Sequence, residues 1–358
     1  MSSLLSTFLS LSGLIFIMLS IIATLGSLTW KQTVYPEVDL SRCPPIGSNP
    51  KRLWAYWHTG TAKYPKFVER NLKMWKAVNP DWELRLIEGA NPNSECHVSK
   101  FVPREMLPKY LDQMVIQKQS DAVRLALLRL YGGIYMDATI LIFEPLEFSY
   151  WNHVDSNMMV GYYFERYTLP GKKDGFEIWM IAARAESPLI IAWHDYFLDF
   201  MTQGPSPFIR NETTGELNPR FKDVNLSKIS EYFLNYGVST TCLHALLQLN
   251  KTVEDWYENK SLIRNADNDV YALSTEMDWD PPRHYEYFFE PKMFTKANII
   301  KMTKNIPIMK LITHAFYIDD ASFDKWSSLS NNLGYIYRKL TEKGKLWQKE
   351  GIWNDTFT

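Results

Sequence analysis

The stretch from Gln119 to Leu141, QSDAVRLALLRLYGGIYMDATIL, constrains the fold more than any other part of the chain. From Ala122 to Tyr131 nearly every position is apolar, interrupted only by Arg124 and Arg129, so a helix here has little polar face to offer water and belongs inside the protein. Ser120 stands where a hydroxyl can cap the helix start by accepting from an amide two or three residues on. Gly132 and Gly133 supply the positive φ that ends a helix, and Ile134-Tyr135-Met136 begins a short strand that Asp137 closes. Asp121 and Arg124 lie three apart, on one face near the buried end, and charges that close to a core need partners. A carboxylate at the C-terminal end of a strand in an α/β sheet stands in the crevice where such sheets bind ligands. The plainer alternative is an Asp121–Arg124 ion pair beside a turn-forming Asp137.

At 358 residues with 46% hydrophobic content, the chain can bury one large core or two small ones without staples. A formal net charge of -1 with dispersed basic residues gives no case for nucleic acid as a partner. Aromatic residues, at 15%, suit either a cleft that stacks on rings and sugar faces or a thick aromatic core. Cys43, Cys96 and Cys242 have no metal-ligand spacing, which argues against zinc and against a disulfide framework but leaves one bridge open.

Leu4 to Trp30 carries no charge and is long enough to cross a bilayer, which takes about 20 apolar residues. We read residues 1–30 as an uncleaved single-pass signal anchor; the rival is a cleaved signal peptide, whose apolar region is shorter and follows a basic segment that this chain lacks. Lys31, directly after the span, favours the opposite orientation by the positive-inside rule. Against that stand five glycosylation acceptor patterns, at Asn211, Asn225, Asn250, Asn259 and Asn354, which point to a type II membrane glycoprotein with its body in the Golgi or another secretory lumen. Residues 31–51, polar and interrupted by Pro36, Pro44, Pro45 and Pro50, read as a stem, and the catalytic body then spans 52–358.

That body opens with an aromatic strand, Leu53 to Trp57, and a turn at His58-Thr59-Gly60, the kind of strand end at which α/β nucleotide sites begin. Pro65 to Val78 has helical spacing and Trp82 to Ile87 alternates, which together make a βαβ opening. Further strands are expected at Ala138–Phe143, Met158–Phe164, Glu177–Ala183 and Leu311–Ala315, with helices at Ser187–Met201, within Ser227–Leu249 and at Ser327–Gln348. Pro170 to Gly175 suits a mobile lip, and Met277 to Tyr285 reads as an irregular loop or rigid Pro-Pro connector.

The SDxxRxxxLxxxGGIYxDxx block, with the upstream strand and the Asn79-Pro80-Asp81-Trp82-Glu83 turn, resembles the capsular polysaccharide synthesis group and the DXD-containing sugar-binding glycosyltransferases, over roughly Leu53 to Leu198 with echoes at Tyr232-Phe233 and His314. The resemblance implies a GT-A type nucleotide-sugar-binding mixed α/β sheet flanked by helices. It implies a membrane-anchored enzyme that moves a hexose from a nucleotide-sugar to a glycan acceptor with retention at the anomeric carbon. Asp121, Arg124 and Asp137 would then be catalytic and donor-holding, with Trp57, His58, Tyr135, Ala138 and Thr139 completing the donor site. A leaving diphosphate develops negative charge, which a metal or cationic clamp must meet. The resemblance implies Mn²⁺ or Mg²⁺ on Asp137, Thr139 and His314, although Thr139 stands where the motif has its second aspartate. Glu177, Asp278 and Asp280 are the candidates for acceptor contact. The alternative, which rests on the missing aspartate, is a catalytically silent partner that binds nucleotide-sugar or glycan.

Overall fold

The computed structural model describes residues 38–336 except 169–171, 212, 230, 236, 296, 299–305, 312–318 and 329–330. The expected anchor, the first part of the stem, His314, Asn354 and most of the expected terminal helix lie outside the described residues. Among the described residues no helix is long and apolar enough to cross a membrane.

A six-stranded mixed sheet runs through the body in the order β2-β1-β3-β6-β5-β7, formed by β1 (Arg52–Tyr56), β2 (Glu83–Ile87), β3 (Gly133–Met136), β5 (Val160–Tyr163), β6 (Phe176–Ala183) and β7 (Leu262–Asn265). β1 pairs parallel with both β2 and β3, and α1 (Lys66–Val78) forms the crossover of the expected βαβ unit. β4 (Ile140–Ile142) leaves this sheet to pair antiparallel with β8 (Ile308–Lys310). The strand expected from Ala138 starts at Ile140 because Asp137-Ala138-Thr139 forms a turn, in which the Ile140 amide donates to the Asp137 carbonyl at 3.0 Å.

Strand alternation sorts the core onto two faces. Leu53, Ala55, Ile134 and Met136 pack with Phe67, Leu72 and Trp75 of α1. Trp54, Tyr56, Tyr135 and Ile181 pack with Ala122, Leu125 and Ala126 of α2 (Ile116–Tyr131) and with Trp193 of α3 (Pro188–Phe200). Every residue of α2 from Ala122 to Leu128 is buried, Arg124 included, in keeping with the apolar run around it. The helix starts four residues ahead of Ser120, with Val115 at its cap, so Ser120 is not the cap. Its hydroxyl instead shares a 2.8 Å hydrogen bond with Tyr135.

Gly132 at φ 60° and Gly133 at φ 102° reverse the chain between α2 and β3. A side chain at either would collide with backbone, meeting the Ala185 nitrogen at 2.3 Å from position 132 and the Arg52 carbonyl at 2.6 Å from position 133. Glycine is therefore required twice over, by conformation and by space.

Residues 277–285 are not wholly an irregular loop or rigid connector, because α6 (Pro281–Phe289) starts inside them, and proline at the first helical positions lacks an amide that would go unpaired there anyway. The helix expected within Ser227–Leu249 is present as a short helix, Glu231–Asn235, and α4 (Val238–Leu249), with α5 (Lys251–Lys260) following. Residues 38–51, expected as part of a stem, lie against the sheet: Leu40 and Cys43 are buried, and a Cys43–Cys96 disulfide ties the segment to the loop after β2. Cys242 is free and buried.

Candidate active site

The reversal at Gly132-Gly133 lays α2 antiparallel to β3. Eight residues of helix return about 12 Å and four of strand about 13 Å, so Arg124 comes level with Asp137. Arg124 Nη2 stands 3.1 Å from Asp137 Oδ1, and Nη1 stands 3.3 Å from Asp121 Oδ1. Tyr135 is fully buried beneath the guanidinium, 4.4 Å from ring centroid to Cζ. That burial places Tyr135 beneath Arg124, as a support for its guanidinium.

The other oxygen of Asp137 meets a residue from the far end of the chain. Lys310 Nζ lies 2.5 Å from Asp137 Oδ2, delivered by the β4–β8 pairing in which Lys310 stands opposite Ile140. Side-chain exposure is 4% for Arg124, 15% for Asp121, 15% for Lys310 and 30% for Asp137, so the cations are set deep and the acid opens outward. α1 secures the turn beneath: Asn71 Nδ2 donates to the carbonyls of Ala138 at 2.7 Å and Ile140 at 2.8 Å, and Trp75 Nε1 donates to Ile140 at 2.7 Å. Ala138 and Thr139 are both buried by this clamp.

β6 completes the floor. Its register with β5 jumps from Gly161↔Ile181 to Tyr162↔Glu177, and irregularities of this kind re-aim side chains beside sites. The Asp137 amide donates to the Trp179 carbonyl at 2.9 Å, and Lys310 Nζ lies 5.9 Å from the Trp179 ring centroid. Trp179 is held between Tyr162, stacked at 5.1 Å, and Tyr271, edge-on at 5.7 Å.

Burial pushes the Asp121 carboxyl up to about 7 against the pull of Arg124, with Asp137 adding to the push. Burial pushes Asp137 the same way, but Lys310 and Arg124 outweigh it and hold this acid below the usual carboxylate range. Glu177, half-buried, is pushed up to about 7 by burial, opposed by Lys310 and reinforced by Asp137. The site thus presents one fixed carboxylate between two cations and two acids that change charge near neutrality.

Other expected residues fall less centrally. Trp57 and His58 follow β1 at the same edge of the sheet; His58 Nδ1 is 3.2 Å from the Tyr56 hydroxyl, which donates to Gln119 Oε1 in α2 at 3.0 Å. Asp278 and Asp280 pair locally: Arg283 Nη1 lies 3.0 Å from Asp278, and its Nε 4.0 Å from Asp280, at the exposed start of α6.

The described residues around Asp137 do not fit a divalent ion well. Such ions replace their hydration with anionic or neutral oxygens, and both Asp137 oxygens already face cations while the Thr139 residue is buried. Among the described residues there is no group of three or more His, Cys, Asp or Glu able to hold a metal ion.

Sequence reasoning missed Lys310, Asn71, Trp75 and Trp179. Asn71 carries a readable signal, a polar residue four after Phe67 and four before Trp75 on the apolar face of α1. Lys310 carries little beyond being a lysine in the strand sequence Ile308-Met309-Lys310.

Residues 35–208 match the family described as capsular polysaccharide synthesis protein. The chain is 27% identical over 282 residues to glycosyltransferase afumC of Aspergillus fumigatus, covering 69% of this chain and 68% of that protein. It is 26% identical over 262 residues to O-glycosyltransferase PaGT of Phomopsis amygdali, covering 66% of this chain and 64% of that protein. The alignments thus span about two thirds of these relatives' own lengths. A solved structure, the PaToxG glycosyltransferase, aligns at a TM-score of 0.32 and 17% identity over 57% of this chain and 75% of its own. Over residues 35–208 the chain is similar to the capsular polysaccharide synthesis family, and over about two thirds of its length to named glycosyltransferases.

Proposed function

We propose that the chain is a GT-A type glycosyltransferase that moves a hexose from a nucleotide-sugar to a hydroxyl of a glycan acceptor, with retention at the anomeric carbon. The observation that carries this reading is the convergence of Asp121, Arg124, Asp137 and Lys310 at the C-terminal edge of β3, where a buried cation pair faces outward past one carboxylate. Transfer needs positive charge where the departing diphosphate gathers electrons, and fixed cations in a half-dry site supply it without reorganising. Donor hydroxyls find acceptors in Asp121 and Asp137. Glu177, which changes charge near neutrality, suits in its carboxylate form a base that takes the proton released by the acceptor hydroxyl.

The same reading sets the body in a secretory lumen behind the apolar segment of residues 1–30, as a single-pass anchor. Support comes from the Cys43–Cys96 disulfide, a bond favoured in oxidising compartments, and from acceptor asparagines that are exposed at 225, 250 and 259 and half-buried at 211.

The test is a turnover assay of the purified protein against a panel of nucleotide-sugars with simple glycan acceptors, reading released diphosphate. Release from one donor class, with the product's anomeric configuration read by NMR, is the expected result. Tight donor binding without release from any donor would instead establish a silent binding partner.

A further inference from the structure

We propose that Lys310 is the cation that meets the donor's diphosphate, so that Lys310 and Arg124 together do the work otherwise given to a divalent metal ion. This inference rests on reading the cluster as a nucleotide-sugar site and names the group that completes it.

Lys310 is no passing surface charge. Its strand is paired residue by residue with β4, and its side chain is 15% exposed and lies beside the Trp179 ring. An ammonium offers three donors on a compact charge. Among the described residues one is spent on Asp137 Oδ2, which leaves donors for phosphate oxygens at the mouth of the site. Arg124 holds the opposite oxygen of the same carboxylate, so Asp137 fixes the spacing of two cations. A divalent ion placed on Asp137 would have to share its oxygens with both, against their repulsion.

In the transfer step the bond from the anomeric carbon to the β-phosphate oxygen breaks, and its electron pair stays on the phosphate. The acceptor oxygen bonds to the anomeric carbon, and the acceptor's proton is released to a base. The diphosphate gains one negative charge, which the ammonium of Lys310 and the guanidinium of Arg124 neutralise.

The test uses the full-length chain and measures binding of uridine diphosphate and guanosine diphosphate by calorimetry, once in EDTA and once in Mn²⁺, for wild type, Lys310→Met and Lys310→Arg. One diphosphate should bind wild type in EDTA within about twofold of its affinity in Mn²⁺. Lys310→Met should weaken it about tenfold or more, as expected for a lost charge-assisted bond, and Lys310→Arg should recover most of the loss. Electron paramagnetic resonance should show no tight Mn²⁺ site in wild type with the diphosphate bound. Diphosphate binding that requires Mn²⁺, or a Lys310→Met protein that binds as wild type does, overturns the inference. The wild-type comparison holds even if the methionine variant fails to fold. If neither diphosphate binds in either buffer, the donor-site reading itself falls, and this inference with it.

Discussion

Asp137 meets its cations across 13 residues of sequence at Arg124 and across 173 at Lys310, whereas Asp278 and Asp280 meet Arg283 from within the same few residues. Both groups are acids next to tryptophan, and both were candidates for the site. One is assembled by a helix reversal and a strand pairing, with its cations set deep. The other is a local cluster at the exposed start of a helix, 83% exposed at Asp278. Exposed pairs of that kind contribute about 0–1 kcal/mol, because water screens the attraction and two long side chains must be held still. Buried charge has no such screen, so its partners change what it can do.

The comparison breaks first at Asp137. Asp137→Asn should lower turnover about 10²- to 10³-fold, the range expected when a group that sets transition-state electrostatics is lost. It should also destabilise the fold by about 2 kcal/mol, a figure reduced from that of a fully buried pair because Asp137 is part exposed. Steady-state rates and urea denaturation measure the two effects separately. A loss in turnover below tenfold would put Asp137 on the same footing as the surface acids.

A second effect lies in pH. The Asp121 carboxyl is pushed up to about 7 and Glu177 likewise, while both stand near 4 when unfolded. In the window from about 4 to about 7 the unfolded chain has released these protons and the folded one retains them. Stability therefore falls as pH rises through that window, by a few kcal/mol in order of magnitude. Asp137 acts with the opposite sign, since its contribution is present above its unfolded value and is lost only as pH falls through the lower folded one. Urea midpoints taken at several pH values should show about half the slope in Asp121→Asn, with the rest removed by Glu177→Gln. An unchanged slope in the double variant would mean that neither acid is held neutral by its surroundings.

The smallest effect belongs to the exposed acids. Asp278→Asn and Asp280→Asn should each change stability by less than about 0.5 kcal/mol and donor KM by less than about twofold. A rise confined to the acceptor KM would sharpen the contrast, making the exposed cluster the acceptor end of the same cleft.

Much of the framework is legible without coordinates. The βαβ opening follows from period, and the reversal after Tyr131 follows from two glycines that no other residue could replace. Arg124 and Asp137 are within reach of the same argument, because helix and strand rises alone bring them level. The start of α6 hides behind a Pro-Pro pair that also suits a connector, and the role of Asn71 shows only as a polar break in an apolar stripe.

By itself the sequence determined which segment is buried, where it must turn and which carboxylate ends β3, because periodicity, glycine stereochemistry and chain geometry act over a few residues. The tertiary structure alone decided that Lys310 faces Asp137, that Tyr135 lies beneath Arg124 and that Asp278 pairs with Arg283 at the surface. Those outcomes depend on how strands distant in sequence pair and how the faces of the sheet are covered. No local pattern encodes which β8 residue will stand opposite Ile140.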